Sequence, residues 1–206
     1  HVDTSTCEQA QAIVQKYQLH LSRQAEKLLK EETPKEIRNV ETQVTGSVRN
    51  LCLAAKEVAE QLGYHAQILT DQLDCEASEA GKFLGAIAKS NQDTKKSIAF
   101  IAGGETVVHL KGKGKGGTNQ ELVLAAAEKI HGLHETAVFS VGSDGTDGPT
   151  DAAGGYCDEK TCDRLNEKGI SVFETLQDNN AYYALKESDG LIITGATGTN
   201  VNDVAV

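Results

Sequence analysis

Residues 136–155 read TAVFSVGSDGTDGPTDAAGG, an apolar run followed at once by a loop rich in aspartate and glycine. The first six residues predict a buried strand. Glycines allow the chain after it to turn with its N–H groups exposed, and Asp144, Asp147 and Asp151 supply hard oxygen atoms of the kind that bind Mg2+. Because aspartate and glycine are also ordinary turn residues, a plain turn stays open as the alternative. As a binding loop, the stretch predicts phosphate chemistry at a strand end.

Strand and helix patterns alternate on both sides of this stretch. Apolar residues at helical spacing over 47–62, ended by Gly63, predict an amphipathic helix. Two short helices are predicted within 7–30, further strands at 65–70, 97–102, 106–110 and 191–194, and further helices at 76–89, from 119, and around 160 and 181. The alternation is typical of parallel βαβ units, so we expect an α/β fold. Apolar runs in such sheets are buried on both faces, and six residues are therefore expected in central strands: Val138, Phe139, Val141, Leu191, Ile192 and Ile193.

Glycine use divides the chain. Only four of the 20 glycines lie before residue 100. A change of composition of this kind marks a domain boundary, which we place near Ser97. The two predicted domains are residues 1–97 and 98–206.

Composition excludes several classes of protein. The formal charge is −10, which argues against a nucleic-acid partner. No apolar run approaches the roughly 18 residues that a membrane span needs, and no leader pattern is present, so a cytoplasmic location is expected. The five cysteines lack CxxC spacing, which favours buried reduced thiols over a disulfide framework or a zinc cluster.

The sequence begins at His1 and contains no methionine. We therefore expect it to lack N-terminal residues of the primary translation product.

The segment GKGKGG formally matches the G-x-G-x-x-G pattern of dinucleotide sites, with glycines at 112, 114 and 117. That pattern normally turns directly from the first strand of a unit into its helix, with an acidic residue at the end of the next strand. Here Glu135 precedes a predicted strand. Interleaved Lys113 and Lys115 suit a triphosphate better than a dinucleotide. A flexible solvated loop stays open as the alternative.

Two further polar segments follow predicted strands. Gly103–Glu105 ends one of them, and Gly195–Asp203, reading GATGTNVND, follows another. Ligands of open α/β sheets bind where such loops converge. We therefore expect these two segments and the Asp144 loop to form one binding cleft.

The order of five segments, GGET, GKGKGGTNQE, GSDGTDGPTDAAG, NNAYYAL and GATGTNVND, resembles the type II glycerate kinases, whose C-terminal unit is called the MOFRL domain. The resemblance runs from about Ile98 to the end. Residues 44–80 also resemble the last part of that family's first, larger domain. The family's chains are about twice as long as this one. The resemblance implies that residues 1–97 are the C-terminal portion of a Rossmann-like domain and that 98–206 are a smaller α/β MOFRL domain.

The resemblance also implies an activity: ATP-dependent phosphorylation of D-glycerate to 2-phosphoglycerate, with Mg2+ required and the substrates bound between two domains. The partners expected are D-glycerate and the missing N-terminal half of the same chain, and a homodimer stays open. Alone, the chain is expected to be inactive. One departure from the family pattern is Thr118, which stands where a second arginine is usual.

The resemblance and the residue types together give a set of expected roles. Expected catalytic residues are Asp144, Asp147 and Lys115. Expected nucleotide or phosphate contacts are Gly112, Lys113, Gly114, Gly117 and Asn119. Expected substrate contacts are Glu105, Thr197 and Asn200. Expected metal ligands are Asp144, Asp147 and Asp151.

Two other functions stay open at this point. An NAD(P)H-dependent hydroxypyruvate reductase would require the Gly112 segment to be a true dinucleotide fingerprint. A non-catalytic binding module would follow if the loss of arginine at position 118 had removed an essential anion contact.

Overall fold

A computed structural model gives the structure of residues 2–206. The chain forms two compact units, the first ending at Val44 and the second spanning Thr45–Val206. Within residues 2–206, no helix is both long and apolar enough to cross a lipid bilayer.

The first unit contains two short helices, α1 (Cys7–Lys16) and α2 (Arg23–Leu28), as its apolar spacing predicts. A capping box begins α1, because the Thr6 side chain accepts from the Gln9 amide while the Gln9 side chain accepts from the Thr6 amide. None of residues 2–44 is buried. Residues 2–44 therefore have no buried apolar core, and hydrogen bonds such as those from the Cys7 amide to Glu32 and from the Gln11 side chain to the Leu29 carbonyl connect the parts of this unit.

The second unit is a six-stranded mixed sheet with helices, which confirms the predicted α/β class. Its strands are β1 (His65–Leu73), β2 (Ile98–Gly104), β3 (Ala137–Gly142), β4 (Gly154–Asp158), β5 (Leu191–Ile192) and β6 (Asp203–Ala205). Its helices are α3 (Val48–Gln61), α4 (Ala77–Ser90), α5 (Thr118–Ile130), α6 (Thr161–Glu167), α7 (Val172–Gln177) and α8 (Ala181–Glu187). The narrower Rossmann-like description stays a prediction.

The sheet is not the parallel one that the alternation of elements predicts. Its order is β1-β2-β6-β3-β4-β5, and only β1 and β2 run parallel. The strands β4 and β6 were absent from the sequence prediction, and both insert antiparallel to their neighbours. The predicted strand at 106–110 is wrong, because only Val107 forms a bridge, to Glu76.

The apolar runs are less buried than a parallel sheet would make them. Val138 is buried as expected, whereas Phe139 and Val141 are half-buried. Ile193 lies beyond the end of β5 and is 61% exposed, so its placement in a central strand was wrong. The reason is that β5 is a two-residue edge strand that pairs only with β4.

Two apolar clusters lie on opposite faces of the sheet, because successive side chains of a strand alternate between its faces. On one face, α3 contributes Cys52 to a small cluster with Ile101 and Val204. On the other, α4 and α5 form the main core, to which Ala102 and Ala205 belong. Helix α5 is the centre of that core, with ten of its thirteen residues buried.

Helices α4 and α5 approach each other closely enough to require glycine. A Cβ atom added to Gly81 of α4 would overlap the Leu122 carbonyl oxygen of α5, and one added to Gly85 would overlap Lys129. Small residues at these two positions therefore allow the two helices to pack against each other with their backbones in contact.

We expect Gly81→Ala to lower the free energy of unfolding by about 2 to 3 kcal/mol, because the added methyl group must push α5 away. At an exposed helix position the same change would stabilise by about 0.5 to 1 kcal/mol. Chemical denaturation measures the difference. Ala86→Gly, at an exposed position of α4, is the control and should cost only about 1 kcal/mol. A stabilised Gly81→Ala variant would show that the two helices are not in close contact.

Candidate active site

Three strand ends meet at one edge of the sheet. Asp203, the first residue of β6, pairs with Gly104 at the end of β2 and with Gly142 at the end of β3. The loops that leave β2 and β3 and the loop that enters β6 surround an open cavity of about 230 Å3. The structure thus brings together the three polar segments that the sequence analysis expected to converge.

Four carboxylates line this cavity, those of Glu105, Asp144, Asp147 and Asp203. The other lining residues are threonines, asparagines and one glycine, all within the described part of the chain, and no lysine or arginine is among them. Thr118 lies on this wall, at the position where the resemblance leads one to expect arginine. The cavity is therefore strongly negative, and an anionic ligand would need cations from outside it.

Some of the predicted site residues line the cavity and others do not. Those that line it are Glu105, Asn119, Asp144, Asp147 and Asn200. Those that are not in its lining are Gly112, Lys113, Gly114, Lys115, Gly117, Asp151 and Thr197.

Asp147 caps the N-terminus of α5. Its Oδ1 accepts from the backbone N–H of Asn119 at 3.1 Å, and its Oδ2 accepts from that of Gln120 at 2.8 Å. The Asn119 side-chain amide and the Thr118 hydroxyl also lie within reach of Oδ1, at 3.2 and 3.4 Å. Burial raises the pKa of Asp147, while these hydrogen bonds act in the opposite direction. Both carboxylate oxygens thus hold the first turn of the helix, which is a structural task.

Asn119 joins this cap to the sheet. Its side chain is buried, and its Oδ1 accepts from the Ser140 hydroxyl of β3 at 2.5 Å while its Nδ2 donates to Asp147. Helix α5, strand β3 and the loop after β3 are therefore connected through one amide group. The nucleotide contact at Asn119 remains a prediction. In this structure its side chain makes hydrogen bonds inside the protein that stabilise the position of α5 against β3.

Asp144 joins two loops at the cavity. Its Oδ1 accepts from the amide and the hydroxyl of Thr146, and its Oδ2 accepts from the Asn200 side chain at 3.3 Å. Nearby, the Thr197 hydroxyl donates to the Ser143 carbonyl at 2.5 Å, and the Thr197 amide donates to the Asp144 carbonyl. Hydrogen bonds therefore connect the loop after β3 to the loop before β6, and Thr197 makes two of them.

Asp203 is the cavity carboxylate that the sequence analysis missed. Burial, together with the negative charges of Asp147, Glu105 and Asp144, raises its pKa to about 6, against a hydrogen bond from Asn119 that lowers it. The signal in the sequence was the short apolar run directly after Asp203. Read as a strand, that run would have placed the residue at the sheet edge beside the Asp144 loop.

The glycine-rich segment Lys111–Lys115 lies against residues 178–180, between α7 and α8. Its five successive backbone N–H groups all donate to that segment. The acceptors are Asn179 Oδ1 for Lys111 and Gly112, Asp178 Oδ1 for Lys113, the Asp178 carbonyl for Gly114, and Asn180 Oδ1 for Lys115, at 2.7 to 3.0 Å. The lysine side chains, and not these amides, are therefore the groups left to contact an anion.

Lys115 and Asp151 meet at a second place, around Tyr182. The Lys115 ammonium nitrogen lies 4.5 Å from the centre of the Tyr182 ring, and the Tyr182 hydroxyl donates to Asp151 at 2.8 Å. This hydrogen bond lowers the pKa of Asp151, and the Lys115 charge acts in the same direction. The contacts connect the glycine-rich segment, α8 and the loop after β3.

The acidic side chains do not form a preassembled metal cage. Among residues 2–206, no group of three or more His, Cys, Asp or Glu side chains is placed to hold a metal ion. Carboxylates are nevertheless the donors that Mg2+ prefers, and Mg2+ in phosphate-transferring sites is commonly held by one or two carboxylates together with substrate phosphates. The donor chemistry of the cavity therefore fits Mg2+ that arrives with a phosphate ligand.

Comparison with known proteins identifies the class. Residues 98–203 match the MOFRL family. Since these residues make up just over half of the chain, the chain belongs to the MOFRL family. The assignment of residues 1–97 to a first, larger domain stays a prediction.

The similar proteins include named kinases. The chain is 46% identical to the D-glycerate 2-kinase of Thermotoga maritima, over 99% of this chain and 50% of that protein. A crystal structure described as glycerate kinase from Thermotoga maritima is similar with a TM-score of 0.82 at 45% identity, covering 98% of this chain and 50% of that one. The glycerate 2-kinase of Pyrococcus horikoshii is 40% identical, over 99% of this chain and 50% of that protein.

A further relative has a different name. A protein of Agrobacterium vitis whose provisional name is hydroxypyruvate reductase is 33% identical, over 98% of this chain and 48% of that protein. This chain spans about half the length of each of these relatives.

We expect Asp147→Ala to lower the free energy of unfolding by about 2 kcal/mol, because it removes a buried N-cap from α5. Thermal or urea unfolding of the chain measures this. Asp151→Ala removes a carboxylate of the same loop that accepts only from Tyr182 at the surface, and it should cost less than about 1 kcal/mol. Equal losses in the two variants would contradict the capping role.

We expect Asp203→Asn to change the pH dependence of stability. The pKa of this carboxyl is about 6 in the folded chain and near 3.8 in the unfolded chain. The folded state therefore keeps its proton to a higher pH, and the free energy of unfolding falls as pH rises from about 4 to 6. The variant lacks this loss. It should gain about 1 to 2 kcal/mol over the parent chain between pH 4.5 and 7.5, less than full linkage because the carboxyl is partly solvated.

Urea unfolding at several pH values measures this difference. Asp93→Asn, which removes an exposed carboxyl in a surface turn, is the charge-matched control. A pH-independent difference between Asp203→Asn and the parent chain would contradict the assignment.

Proposed function

We propose that the chain is the C-terminal half of a glycerate 2-kinase, which transfers a phosphoryl group from ATP to D-glycerate and forms 2-phosphoglycerate. The observation that carries the proposal is the 46% identity to a D-glycerate 2-kinase along 99% of the chain. The polar cavity at the sheet edge supports it, because kinases need a site that positions two polar substrates. A cytoplasmic location and a homodimer stay predictions.

The charge of the cavity explains what the site needs. Phosphoryl transfer depends on positioning and on neutralising the charge of the phosphates, and four carboxylates would repel them. Mg2+, when bound, would supply positive charge between the phosphates and the carboxylates. We propose Asp144 as the residue of this chain that holds it. Asp144 lines the cavity and is partly exposed, although a metal would replace some of its bonds to Thr146 and Asn200. Asp147 is buried with both oxygens bonded to α5, and Asp151 is not in the cavity lining.

The remaining roles follow from position. Glu105 and Asn200 lie on the cavity wall, and we propose that they contact the hydroxyl and carboxylate groups of glycerate. Lys113 is exposed on the glycine-rich segment and is proposed to contact phosphate oxygens. Lys115 would have to leave the Tyr182 ring to do the same.

A hydroxypyruvate reductase is the second candidate, because the Agrobacterium relative has that name. It requires the Gly112 segment to hold a dinucleotide through its backbone. In this structure the segment does not follow a strand, and its N–H groups donate to residues 178–180. The kinase is therefore the better supported of the two functions.

The kinase proposal predicts glycerate-dependent ADP release by the longer gene product that includes the N-terminal half. A coupled assay with D-glycerate, ATP and Mg2+ measures it, beside NADH oxidation with hydroxypyruvate. We expect activity in the first assay alone, and none from the isolated 206-residue chain. Activity only in the second assay would establish the reductase instead.

In the same longer product, we expect Asp144→Asn to lower kcat/KM by about 100-fold or more, because a charged contact to the metal–phosphate group is lost. Added Mg2+ should recover part of the activity. Asp93→Asn, far along the chain in a surface turn, is the control and should retain full activity. An Asp144→Asn variant with unchanged kinetics would remove this residue from the site.

A further inference from the structure

Asn179 is a buried asparagine whose side-chain amide is fully hydrogen-bonded. Its Oδ1 accepts from the backbone N–H of Lys111 at 2.7 Å and from that of Gly112 at 3.0 Å. Its Nδ2 donates to Glu121 Oε2 at 3.1 Å and lies 3.5 Å from the His109 carbonyl. The backbone of Asn179 has φ of 52°, a left-handed conformation that asparagine tolerates better than most residues. Both the side chain and the backbone at this position therefore suit asparagine.

Glu121 decides which way this amide faces. It lies in the first turn of α5 and is 5% exposed. Burial raises the pKa of Glu121, and the hydrogen bond from Asn179 acts in the opposite direction by stabilising the ionised form. In that form the carboxylate can only accept, so it binds the NH2 end of the amide and leaves the oxygen end facing the glycine-rich segment. If the amide were reversed, its oxygen would face the Glu121 carboxylate, and both groups are acceptors. Its NH2 group would then face the backbone N–H groups of Lys111 and Gly112, and all of these are donors. The pair Glu121–Asn179 thus has one favourable arrangement.

The neighbours of Asn179 extend the contact along the whole segment. Asp178 and Asn180 accept from the next three N–H groups. A Cβ atom at Gly112 would overlap the Asp178 backbone, and one at Gly114 would overlap Asp178 and Asn180. Packing against residues 178–180 therefore accounts for glycine at both positions. Lys113 and Lys115 are exposed, and the Lys115 ammonium lies over the Tyr182 ring.

We propose that Asn179, oriented by Glu121, is the positioning residue that fixes the Lys111–Lys115 segment so that its lysine side chains face the phosphates of the nucleotide. The part that concerns phosphates rests on the proposed kinase function. Residues 178–180 act as a template that holds the backbone of this glycine-rich segment in one conformation and so sets where each lysine side chain begins. The template lies 65 to 68 residues further along the chain, so the segment acquires this shape only once the two distant parts of the chain are in contact.

Reversing the donor and the acceptor tests the pair. Asn179→Asp keeps the oxygen that faces the segment but places a second carboxylate against Glu121, so repulsion should displace it. Adding Glu121→Gln supplies a donor in place of an acceptor and should restore the contact. Asn166→Asp, at an exposed position of α6, makes the same chemical change away from the segment and is the control.

Amide hydrogen exchange, resolved by NMR on the 206-residue chain, reads the result directly. In Asn179→Asp, we expect the N–H groups of Lys111 and Gly112 to exchange about tenfold faster or more, the size of one lost hydrogen bond. The double variant N179D/E121Q should return them toward the parent rate, and Asn166→Asp should leave them unchanged. Unchanged exchange in Asn179→Asp, or faster exchange that the double variant does not correct, would overturn the proposal.

Kinetics of the longer gene product test the phosphate part. Asn179→Asp should raise KM for ATP about tenfold with a smaller effect on KM for D-glycerate, and the double variant should reverse this. If activity instead falls equally for both substrates and in proportion to the loss of thermal stability, Asn179 is purely structural and the phosphate part of the proposal is overturned. If the parent product releases no ADP, the proposed function fails, whereas the exchange measurement still decides whether Asn179 fixes the segment.

Discussion

The buried carboxylate of Asp147 at the N-terminus of α5 is the interaction on which the rest of this structure depends. It accepts hydrogen bonds from two backbone N–H groups of the first helical turn, and Asp147 itself belongs to the loop after β3. Helix α5 lies at the centre of the main core, in contact with α4 on one side and with the sheet on the other. The same helix provides Thr118 and Asn119 to the cavity and Glu121 to the template behind the glycine-rich segment. One capped helix end therefore sets the positions of both polar regions.

Local pattern was enough to predict most helices and most strands, although the short helix α7 was missed. The spacing in α3 and α4 and the apolar runs in β2 and β3 specify their own structure, since the apolar side chains of each element lie toward the sheet or the core. The two strands that were missed, GGYCD and DVA, are short and carry no alternating apolar pattern. Both become strands through pairing with β3, which is a tertiary effect. Because β6 enters between β2 and β3, a sheet expected to be parallel is mostly antiparallel.

The candidate site could be predicted only in part, for a related reason. Glu105 and Asp144 follow recognisable strands, so their convergence was foreseeable from the topology of α/β sheets. Asp203 begins a strand of only three residues, whose apolar run was too short to be recognised, and it was missed. The glycine-rich segment posed the opposite problem: its composition resembles a ligand-binding loop, but the partners of its N–H groups are residues 178–180, far along the chain. No window of local sequence contains both sides of that contact.

The position of β6 has a consequence for how the chain acquires its structure. The strands β1 and β2 on one side and β3, β4 and β5 on the other are joined only through β6, which occupies residues 203–205. During synthesis these residues are made after every other strand of the sheet, so the nascent chain holds two separate sheet fragments with open edges until β6 has been added. Open edges of that kind attract other strands, and closure requires contacts between distant parts of the chain, which form slowly. The closed six-stranded sheet therefore forms only after residues 203–205 have been made.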